Sequence, residues 1–372
     1  MSKRKMNMRF LSAYPPTIAL LICSWLSIPL LGQDAPNPAN KYLDAYKQYL
    51  AVLCPIPADS IQHFVYFSRD REAIIDHPFL DHPRFVGAQI MYSWRQLEPQ
   101  KGKYNFSHIK EDLRYLRKHQ KKLFIQLQDV TFDPRYKAVP NYLLDPAYDG
   151  GVYEEISEQV KPEGWVAKRW NEAVQERFRL LLNALAKEFD GKIEGLNLQE
   201  TAIGATAEKV PGFSESKYLA GLKANMRAMK EAFPNSTCMI YANFMPGEWL
   251  PWEDKGYLQS LYEYGEEIGV GLGSPDLLVR RKAQLNHPLK FMHEGEFSVP
   301  IGIAVQDGNY VAKTGADQDY QEENDRGEDQ HKNKVPLLHA FAQDFLKVDY
   351  MFWVNQAPYF VEDVLPCFDS TN

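Results

Sequence analysis

The stretch from residue 85 to residue 128 decides the fold class, because it places two apolar runs on either side of one amphipathic segment. It begins with Phe85-Val-Gly-Ala-Gln-Ile-Met-Tyr92, continues through residues 106–119 and ends with Lys122-Leu-Phe-Ile-Gln-Leu-Gln128. The two outer runs have the β-branched and aromatic composition of buried strands, whereas the central segment places Ile109 and Leu113 one helical turn apart. The stretch therefore predicts a strand-helix-strand unit, the building block of a parallel sheet.

The same alternation continues along the chain and predicts six more strands. They cover residues 63–67, 193–200, 237–243, 268–273, 301–306 and 348–354, and helical patterns such as residues 170–189 separate them. Eight strands in this arrangement are what a (β/α)8 TIM barrel needs. We therefore predict an α/β fold with a single barrel domain over residues 61–372.

Two long segments interrupt the alternation, one at residues 130–164 and one at residues 311–334. Loops of this length in a compact domain usually carry function. Both follow a predicted strand, which places them at the C-terminal face of the barrel, where barrel enzymes build their sites.

The N-terminal segment has the pattern of a targeting signal. Lys3, Arg4, Lys5 and Arg9 precede an apolar run over residues 17–31, which predicts a secretory signal peptide over residues 1–32. Residues 33–60 are then expected to form a linker and an N-terminal helix near 41–53. Because Pro29 interrupts a short apolar run, an uncleaved membrane anchor is only the alternative. We expect a secreted or periplasmic protein with no stable membrane span once the signal is removed.

Composition narrows the possible partners. The 372 residues carry 42 Lys+Arg and 49 Asp+Glu, a net charge of −7 that argues against nucleic acid as a partner. No glycine-rich nucleotide-binding motif and no Cys or His spacing typical of a metal site occurs, so neither a cofactor nor a metal is expected. Outside the signal, Cys54, Cys238 and Cys367 can be one disulfide with one free thiol, or three buried thiols. Oligomeric state has no signal in the sequence.

Polar and aromatic residues at the ends of the predicted strands are the candidate site residues. Carboxylates transfer protons, amides bind hydroxyl groups and aromatic faces stack on sugar rings, so this combination predicts a carbohydrate substrate. The candidates are Trp94, Arg95, Gln126, Gln128, Asp129, Gln199, Glu200, Tyr241, Asn243, Asp276, Gln306, Asp307 and Trp353.

One sequence motif resembles a motif of a known group of enzymes. The segment Tyr92-Ser-Trp-Arg-Gln-Leu-Glu-Pro-Gln-Lys-Gly-Lys-Tyr-Asn-Phe106 is similar to the W-x-x-L-E-P-x-x-G-x-Y-x-F phrase of TIM-barrel glycoside hydrolases, the clan of retaining enzymes that includes cellulases and β-galactosidases. Glu200 ends the fourth predicted strand, where the clan carries its acid/base, and Trp353 ends the eighth, where a Trp commonly lines the central sugar subsite. The resemblance implies an exported glycosidase with Glu200 as general acid/base.

The chain departs from the clan at two positions. Gln199 stands before Glu200, where the clan has an Asn that binds the sugar 2-hydroxyl, and Gln306-Asp307 ends the seventh predicted strand, where the clan has its Glu nucleophile. Asp307 is one residue further along than that Glu, and side chains alternate in direction along a strand.

Several mechanisms therefore remain open. Asp307 is the nucleophile of a retaining enzyme if its carboxyl lies about 5 to 5.5 Å from that of Glu200. The enzyme is inverting if a base such as Asp276, Glu296 or Asp129 has its carboxyl group about 6.5 to 9.5 Å from that of Glu200. The alternatives are a barrel that binds glycan without cleaving it, and a lyase in which Arg95 neutralises a uronic acid. In the plainest interpretation, Glu200 only forms an ion pair with Arg95.

Overall fold

Eight parallel strands close into a barrel, in the spatial order β1-β11-β10-β9-β8-β7-β3-β2. The computed structural model describes residues 40–156, 161–248, 253–314 and 334–369. Its strands are β1 (Gln62–Tyr66), β2 (Phe85–Ser93), β3 (Lys122–Gln128), β4 (Val130–Thr131), β5 (Val152–Ile156), β6 (Pro162–Ala167), β7 (Gly195–Leu198), β8 (Thr237–Tyr241), β9 (Gly271–Ser274), β10 (Ile301–Val305) and β11 (Tyr350–Val354). All eight predicted strands are present, and the predicted TIM barrel is confirmed.

Helices pack around the outside of this barrel. They are α1 (Trp94–Leu97), α2 (Ser107–Lys118), α3 (Glu172–Phe189), α4 (Glu215–Ala232), α5 (Tyr257–Ile268), α6 (Lys282–Asn286), α7 (Pro288–Glu294), α8 (Lys334–Ala340) and α9 (Leu365–Phe368). The strands are continuous apolar runs because one face of each is covered by helices and the other fills the barrel interior. Among the described helices, none has the length and apolar content needed to span a membrane.

Aromatic rings fill the lower barrel interior. The ring of Phe124 lies 5.7 Å from that of Phe64 and 5.0 Å from that of Phe352, both in edge contact. The neighbouring strand makes room with Gly195, where an added Cβ would lie 2.7 Å from the Phe124 ring. This packed layer closes the barrel from below, so that a ligand can enter only from the C-terminal end.

The first long segment forms a small sheet of its own. Strands β4, β6 and β5 pair antiparallel in that order directly after β3, so the segment predicted as a long loop is a three-stranded sheet at the C-terminal face. The second long segment cannot be described in the same way, because residues 315–333 lie outside the described residues.

A disulfide links the first and last parts of the described chain at the other end of the barrel. Cys54 and Cys367 form a disulfide across 313 residues of sequence, and Cys238 is a buried free thiol, which matches the first of the two predicted arrangements. The predicted helix near residues 41–53 is wrong in extent, since only a 3₁₀ helix over Ala45–Tyr49 forms there. Its short turns let Tyr49 pack against Phe341. The predicted signal peptide lies outside the described residues.

Candidate active site

Glu200 lies at the C-terminal mouth of the barrel, two residues after the end of β7. Its side chain is half-buried, and Asn243, two residues after the end of β8, donates from Nδ2 to Glu200 Oε2 at 2.8 Å. Asn243 is itself fixed, because its Oδ1 accepts the backbone N–H of Ala202 at 3.0 Å. Two of the predicted site residues, Glu200 and Asn243, therefore come together, with the amide orienting the carboxyl group.

The surroundings of Glu200 favour its protonated form. Burial, followed by the negative charge of Asp276, raises the pKa of Glu200 to about 8; the hydrogen bond from Asn243 opposes this rise, the charge of Glu155 adds to it, and the charge of Arg169 opposes it least. A carboxyl group with this pKa is mostly protonated at neutral pH. It can therefore donate a proton to a bound ligand.

Asp276 is the charged neighbour that contributes most to this shift, and it lies two residues beyond the end of β9. Asn309 Nδ2 donates to Asp276 Oδ1 at 2.8 Å. The same Asn309 accepts the backbone N–H groups of Leu277 and Gln306 through its Oδ1, at 3.0 and 3.1 Å. Asn309 thus ties the ends of β9 and β10 together and holds the Asp276 carboxylate at the mouth.

Asp307 lines a cavity of about 620 Å³ on the other side of the mouth. The cavity is lined by Tyr66, Phe67, Ser68, Asp70, Asp307, Val354, Asn355, Gln356, Ala357 and Pro358. After burial, the charges of Asp307 and Glu200 both raise the pKa of Tyr66, so this phenol lies near both carboxylates. Tyr66 also donates its hydroxyl to Gln126 Oε1 at 2.9 Å, which places Gln126 below the cavity.

Asp129 is buried in an ion pair. Arg169 donates from Nε and Nη2 to its two carboxylate oxygens at 2.7 and 2.6 Å, and from Nη1 to the backbone oxygen of Glu200 at 2.7 Å. This bidentate contact occupies both oxygens of Asp129, so its predicted role as a base or ligand contact gives way to a structural one. The pair anchors the chain on which Glu200 lies.

The other three glutamines predicted around the mouth, besides Gln126, have different surroundings. Gln199 Oε1 accepts the backbone N–H groups of Asp129 and Val130, each at 2.9 Å, so it holds the start of the small sheet instead of facing a sugar 2-hydroxyl. Gln306 is half-buried at the end of β10. Gln128 is buried at the end of β3, and its Oε1 has no hydrogen-bond partner in the described parts of the chain.

The sequence motif around Trp94 has a structural role. Trp94 is 1% exposed on α1, donates from Nε1 to Glu98 Oε2 at 2.9 Å, and packs against Phe178. Glu98 also forms an ion pair with Arg177 and accepts the Tyr142 hydroxyl at 2.8 Å. The prediction that Trp94 contacts substrate is therefore wrong, because this ring fills the space between the barrel and its helices.

Two further aromatic candidates are also core residues. Trp353 is 0% exposed, donates from Nε1 to His63 Nδ1 at 3.2 Å and packs on Phe368 outside the barrel, so it lines no sugar subsite. Tyr241 is buried inside the barrel, where its hydroxyl and Gln89 exchange hydrogen bonds. Side-chain alternation along a strand explains the Trp353 error, since it turns this residue away from the barrel interior.

Arg95 and Glu296 do not approach Glu200 either. The Arg95 guanidinium bonds to Asn141, and the Arg95 backbone N–H donates to Ala138 at 2.7 Å, so the predicted structural pair with Glu200 is absent from the described contacts. Glu296 is exposed between α7 and the start of β10, at the N-terminal end of the barrel. It is too far from the mouth to serve as the base.

Asp59, His63 and His339 lie near the N-terminal end of the barrel and have the spacing of metal ligands. Together with Arg84 they are better described as an ionic lock. Asp59 accepts hydrogen bonds from His63 Nε2 at 3.2 Å, His339 Nε2 at 2.9 Å and Arg84 Nη2 at 2.5 Å. The Arg84 cation already occupies the place that a metal ion would take. Trp353 donates to the other nitrogen of His63, so His63 is neutral with its proton on Nε2.

The sequence analysis missed four residues of this site: Tyr66, Glu155, Arg169 and Asn309. Tyr66 ends the first predicted strand and could have been found by the strand-end rule that selected the others. Asn309 follows Asp307 in the same turn. Glu155 and Arg169 had no sequence signal, because their position depends on how the inserted sheet folds back over the mouth.

Comparison with known proteins agrees with the fold. No protein-family model and no curated protein sequence matches the chain. Among solved structures, the catalytic domain of β-amylase from Paenibacillus polymyxa aligns with a TM-score of 0.51 at 8% identity, covering 81% of this chain and 93% of that one. Xylanase XynB from Paenibacillus barcinonensis aligns with a TM-score of 0.50 at 12% identity, covering 79% and 83%.

A family 39 glycoside hydrolase from Bacteroides cellulosilyticus WH2 is also similar, with a TM-score of 0.48 at 13% identity. That alignment covers 79% of this chain and 56% of the other chain, so this chain spans little more than half the length of that enzyme. At their low identities, the similarities to the β-amylase and xylanase structures concern the fold alone, and they agree with the TIM barrel described above.

Proposed function

We propose that this protein is a glycoside hydrolase that cleaves glycosidic bonds in an oligosaccharide or polysaccharide, with Glu200 as the general acid. The observation that carries the proposal is the Glu200 carboxyl group at the mouth, oriented by Asn243 and raised in pKa to about 8 by burial and by Asp276. Glycosidases need one carboxyl group protonated beside another that is ionised. The fold shared with β-amylase and xylanase structures supports the same conclusion.

Asp276 is the second carboxylate in this proposal. The strands β7 and β9 are separated by β8 alone, so the ends that carry Glu200 and Asp276 are about 10 Å apart at strand spacing. Side chains reaching inward from that separation leave room for one water molecule, as the spacing of about 6.5 to 9.5 Å in inverting enzymes requires. The hydrogen bond from Asn309 fixes the orientation of the Asp276 carboxylate.

The reaction then proceeds by single displacement. Glu200 gives its proton to the glycosidic oxygen as the bond to the anomeric carbon breaks. Asp276 takes a proton from a water molecule, whose oxygen forms the new bond to that carbon from the opposite face. The product has the inverted configuration, and proton exchange with solvent returns Glu200 to its protonated form and Asp276 to its ionised form.

A retaining mechanism with Asp307 is the second candidate, and Tyr66 is the observation that favours it. The charges of both Glu200 and Asp307 act on the Tyr66 phenol, which supports a site that spans both sides of the mouth. In that case Asp307 attacks the anomeric carbon, and Glu200 first donates a proton and then removes one from water.

The proposed setting is outside the cytoplasm. The signal-peptide pattern over residues 1–32 supports export, and the Cys54–Cys367 disulfide is typical of proteins that fold in an oxidising compartment.

Reducing-sugar release by the protein starting at residue 33, tested over a panel of neutral and acidic polysaccharides, tests the proposal. We expect release by the wild-type protein and none above background by Glu200→Gln. Proton NMR of the first product then separates the mechanisms, because inversion supports Asp276 and retention supports Asp307. Tight binding without release by either protein would instead identify a glycan-binding barrel, and unsaturated products would identify a lyase.

A further inference from the structure

The end of β3 presents a buried hydrogen-bond acceptor toward the mouth. Gln128 is 5% exposed, and its Oε1 has no partner within the described residues, whereas the carbonyl of Gln126 on the same strand face accepts from Tyr66. A buried carbonyl oxygen without a donor is destabilising, so native proteins rarely leave one unless a ligand or water completes it. The donor that Gln128 lacks must come from the mouth side.

Four residues further along, Phe132 is 55% exposed on backbone that is held in place. Thr131 Oγ1 donates to the Tyr136 carbonyl at 2.8 Å and accepts the backbone N–H of Trp165 at 3.2 Å. Gly164 lets β6 approach so closely that an added Cβ would lie 1.7 Å from the Thr131 carbonyl. An exposed aromatic ring on such a fixed segment is arranged for stacking.

This segment is continuous with the proposed site. In the order β4-β6-β5, Phe132 follows the end of β4, and Glu155 on β5 lies opposite Gly164. Two strand spacings, or about 10 Å, therefore separate the Phe132 backbone from Glu155. Glu155 accepts the backbone N–H of Gly204 at 2.6 Å, and its charge reaches Glu200. Phe132 thus lies on the same small sheet as Glu155, whose charge acts on Glu200.

We propose that residues 128–132 form a second sugar subsite, in which Gln128 Oε1 accepts a hydroxyl group and the Phe132 ring stacks on a sugar face. The inference rests on the proposed function and names its substrate class: an extended glycan chain that occupies this subsite as well as the one at Glu200. A single terminal sugar reaches only Glu200.

Binding and turnover as a function of chain length test the subsite. Phe132→Ala, Phe132→Trp and Gln128→Met are compared with two matched controls: Leu144→Ala, an exposed apolar residue of the same insertion, and Gln284→Met, a buried glutamine on α6 whose Oε1 is likewise unpartnered in the described structure. Calorimetric binding uses the Glu200→Gln background, and kcat/KM uses both aryl monoglycosides and oligosaccharides of increasing length.

We expect Phe132→Ala and Gln128→Met each to lower kcat/KM and affinity for long oligosaccharides about tenfold, the equivalent of one well-packed contact. Their losses on aryl monoglycosides should be clearly smaller than their losses on long oligosaccharides, Phe132→Trp should retain long-chain activity, and both controls should match the wild type. Equal losses on short and long substrates, or none, would overturn the subsite while leaving the hydrolase intact. A chain-length dependence of binding in a protein that hydrolyses nothing would keep the subsite and remove the proposed function, and failure to bind any glycan would remove both.

Discussion

Two carboxyl groups at opposite ends of one barrel have opposite surroundings. Glu200 at the C-terminal mouth has an amide and two acidic neighbours, and its pKa is raised to about 8. Asp59 at the N-terminal end is bonded to Arg84, His63 and His339, and the contacts from the two histidines outweigh burial to hold its pKa well below its ordinary value.

This difference is the one expected between a carboxyl group that transfers protons, as proposed for Glu200, and a carboxyl group that stabilises the fold. Cations and donors around Asp59 satisfy its charge, and the ion pair of Asp129 with Arg169 follows the same rule. Around Glu200 like charges are brought together, which costs stability and is typical of sites that transfer protons. The four changes below test this difference, beginning with the largest expected effect.

The largest effect is expected at the mouth. Asp276→Asn and Glu200→Gln should each lower kcat on a cleaved polysaccharide by roughly 10³-fold, since each removes one half of the acid and base pair. Asp59→Asn, assayed at a temperature where it is folded, should stay within a few-fold of the wild type. A similar loss in all three variants would mean that the two ends do not differ in function.

The next effect concerns stability at the opposite end. Asp59→Asn removes the negative charge that Arg84 and two histidines share, together with one of its two acceptor oxygens, and breaking a buried ion pair of this kind costs about 3 to 5 kcal/mol. Urea denaturation at pH 7 measures the loss. Because the pKa of Asp59 is lowered on folding, its contribution is present at neutral pH and disappears as the pH falls through its low folded-state pKa. A loss below about 1 kcal/mol, the level of an exposed pair, would contradict the description as an ionic lock.

A smaller effect on catalysis is expected at Asn243. Asn243→Ala removes the hydrogen bond that favours ionised Glu200, so the pKa of Glu200 should rise and the alkaline limb of the kcat/KM profile should move to higher pH. We expect kcat to fall about 10- to 100-fold, because the carboxyl group also loses its orientation. Asn225→Ala, a buried amide on α4, is the control, and it should leave the limb in place.

The smallest effect is the stability gained by removing the Glu200 charge. Folding raises its pKa from 4.5 to about 8, so the folded wild-type protein binds the proton more tightly and loses stability as the pH rises between these values. Glu200→Gln should abolish this dependence and raise Tm at pH 8 by roughly 1 to 2 °C, the shift expected for about 1 kcal/mol in a chain of this length. At pH 4.5 the two proteins should unfold together, and a gain of equal size there would point to packing instead of charge.

Much of the barrel could be predicted from the sequence, because local patterns carry it. The β-branched runs and the helical spacing of apolar residues determine strands and helices over short windows, and chain order then determines the neighbours in a parallel barrel. Glu200, Asn243 and Asp276 were found for the same reason, since the C-terminal ends of parallel strands meet at one face.

The misassigned residues depend on direction and on contacts between distant segments. Trp353 belongs to a correctly predicted strand, but its outward orientation depends on the register of β11 against its neighbours. Trp94 was selected because a tryptophan beside a mouth can bind sugar, yet Glu98 and Phe178 enclose it. Composition does not distinguish a ring that stacks on a ligand from one that fills the core.

The sequence by itself determined the eight-stranded barrel, the end of it that carries polar groups, and Glu200 as the candidate acid, because hydrophobic periodicity is a local property. Only the tertiary structure decided which carboxyl groups are neutralised and which are left close together. That distinction depends on Arg169 reaching Asp129, on Asn309 holding Asp276, and on the small sheet that brings Glu155 over the mouth. Electrostatic environment is set by distances in space, and residues far apart in the chain supply those distances.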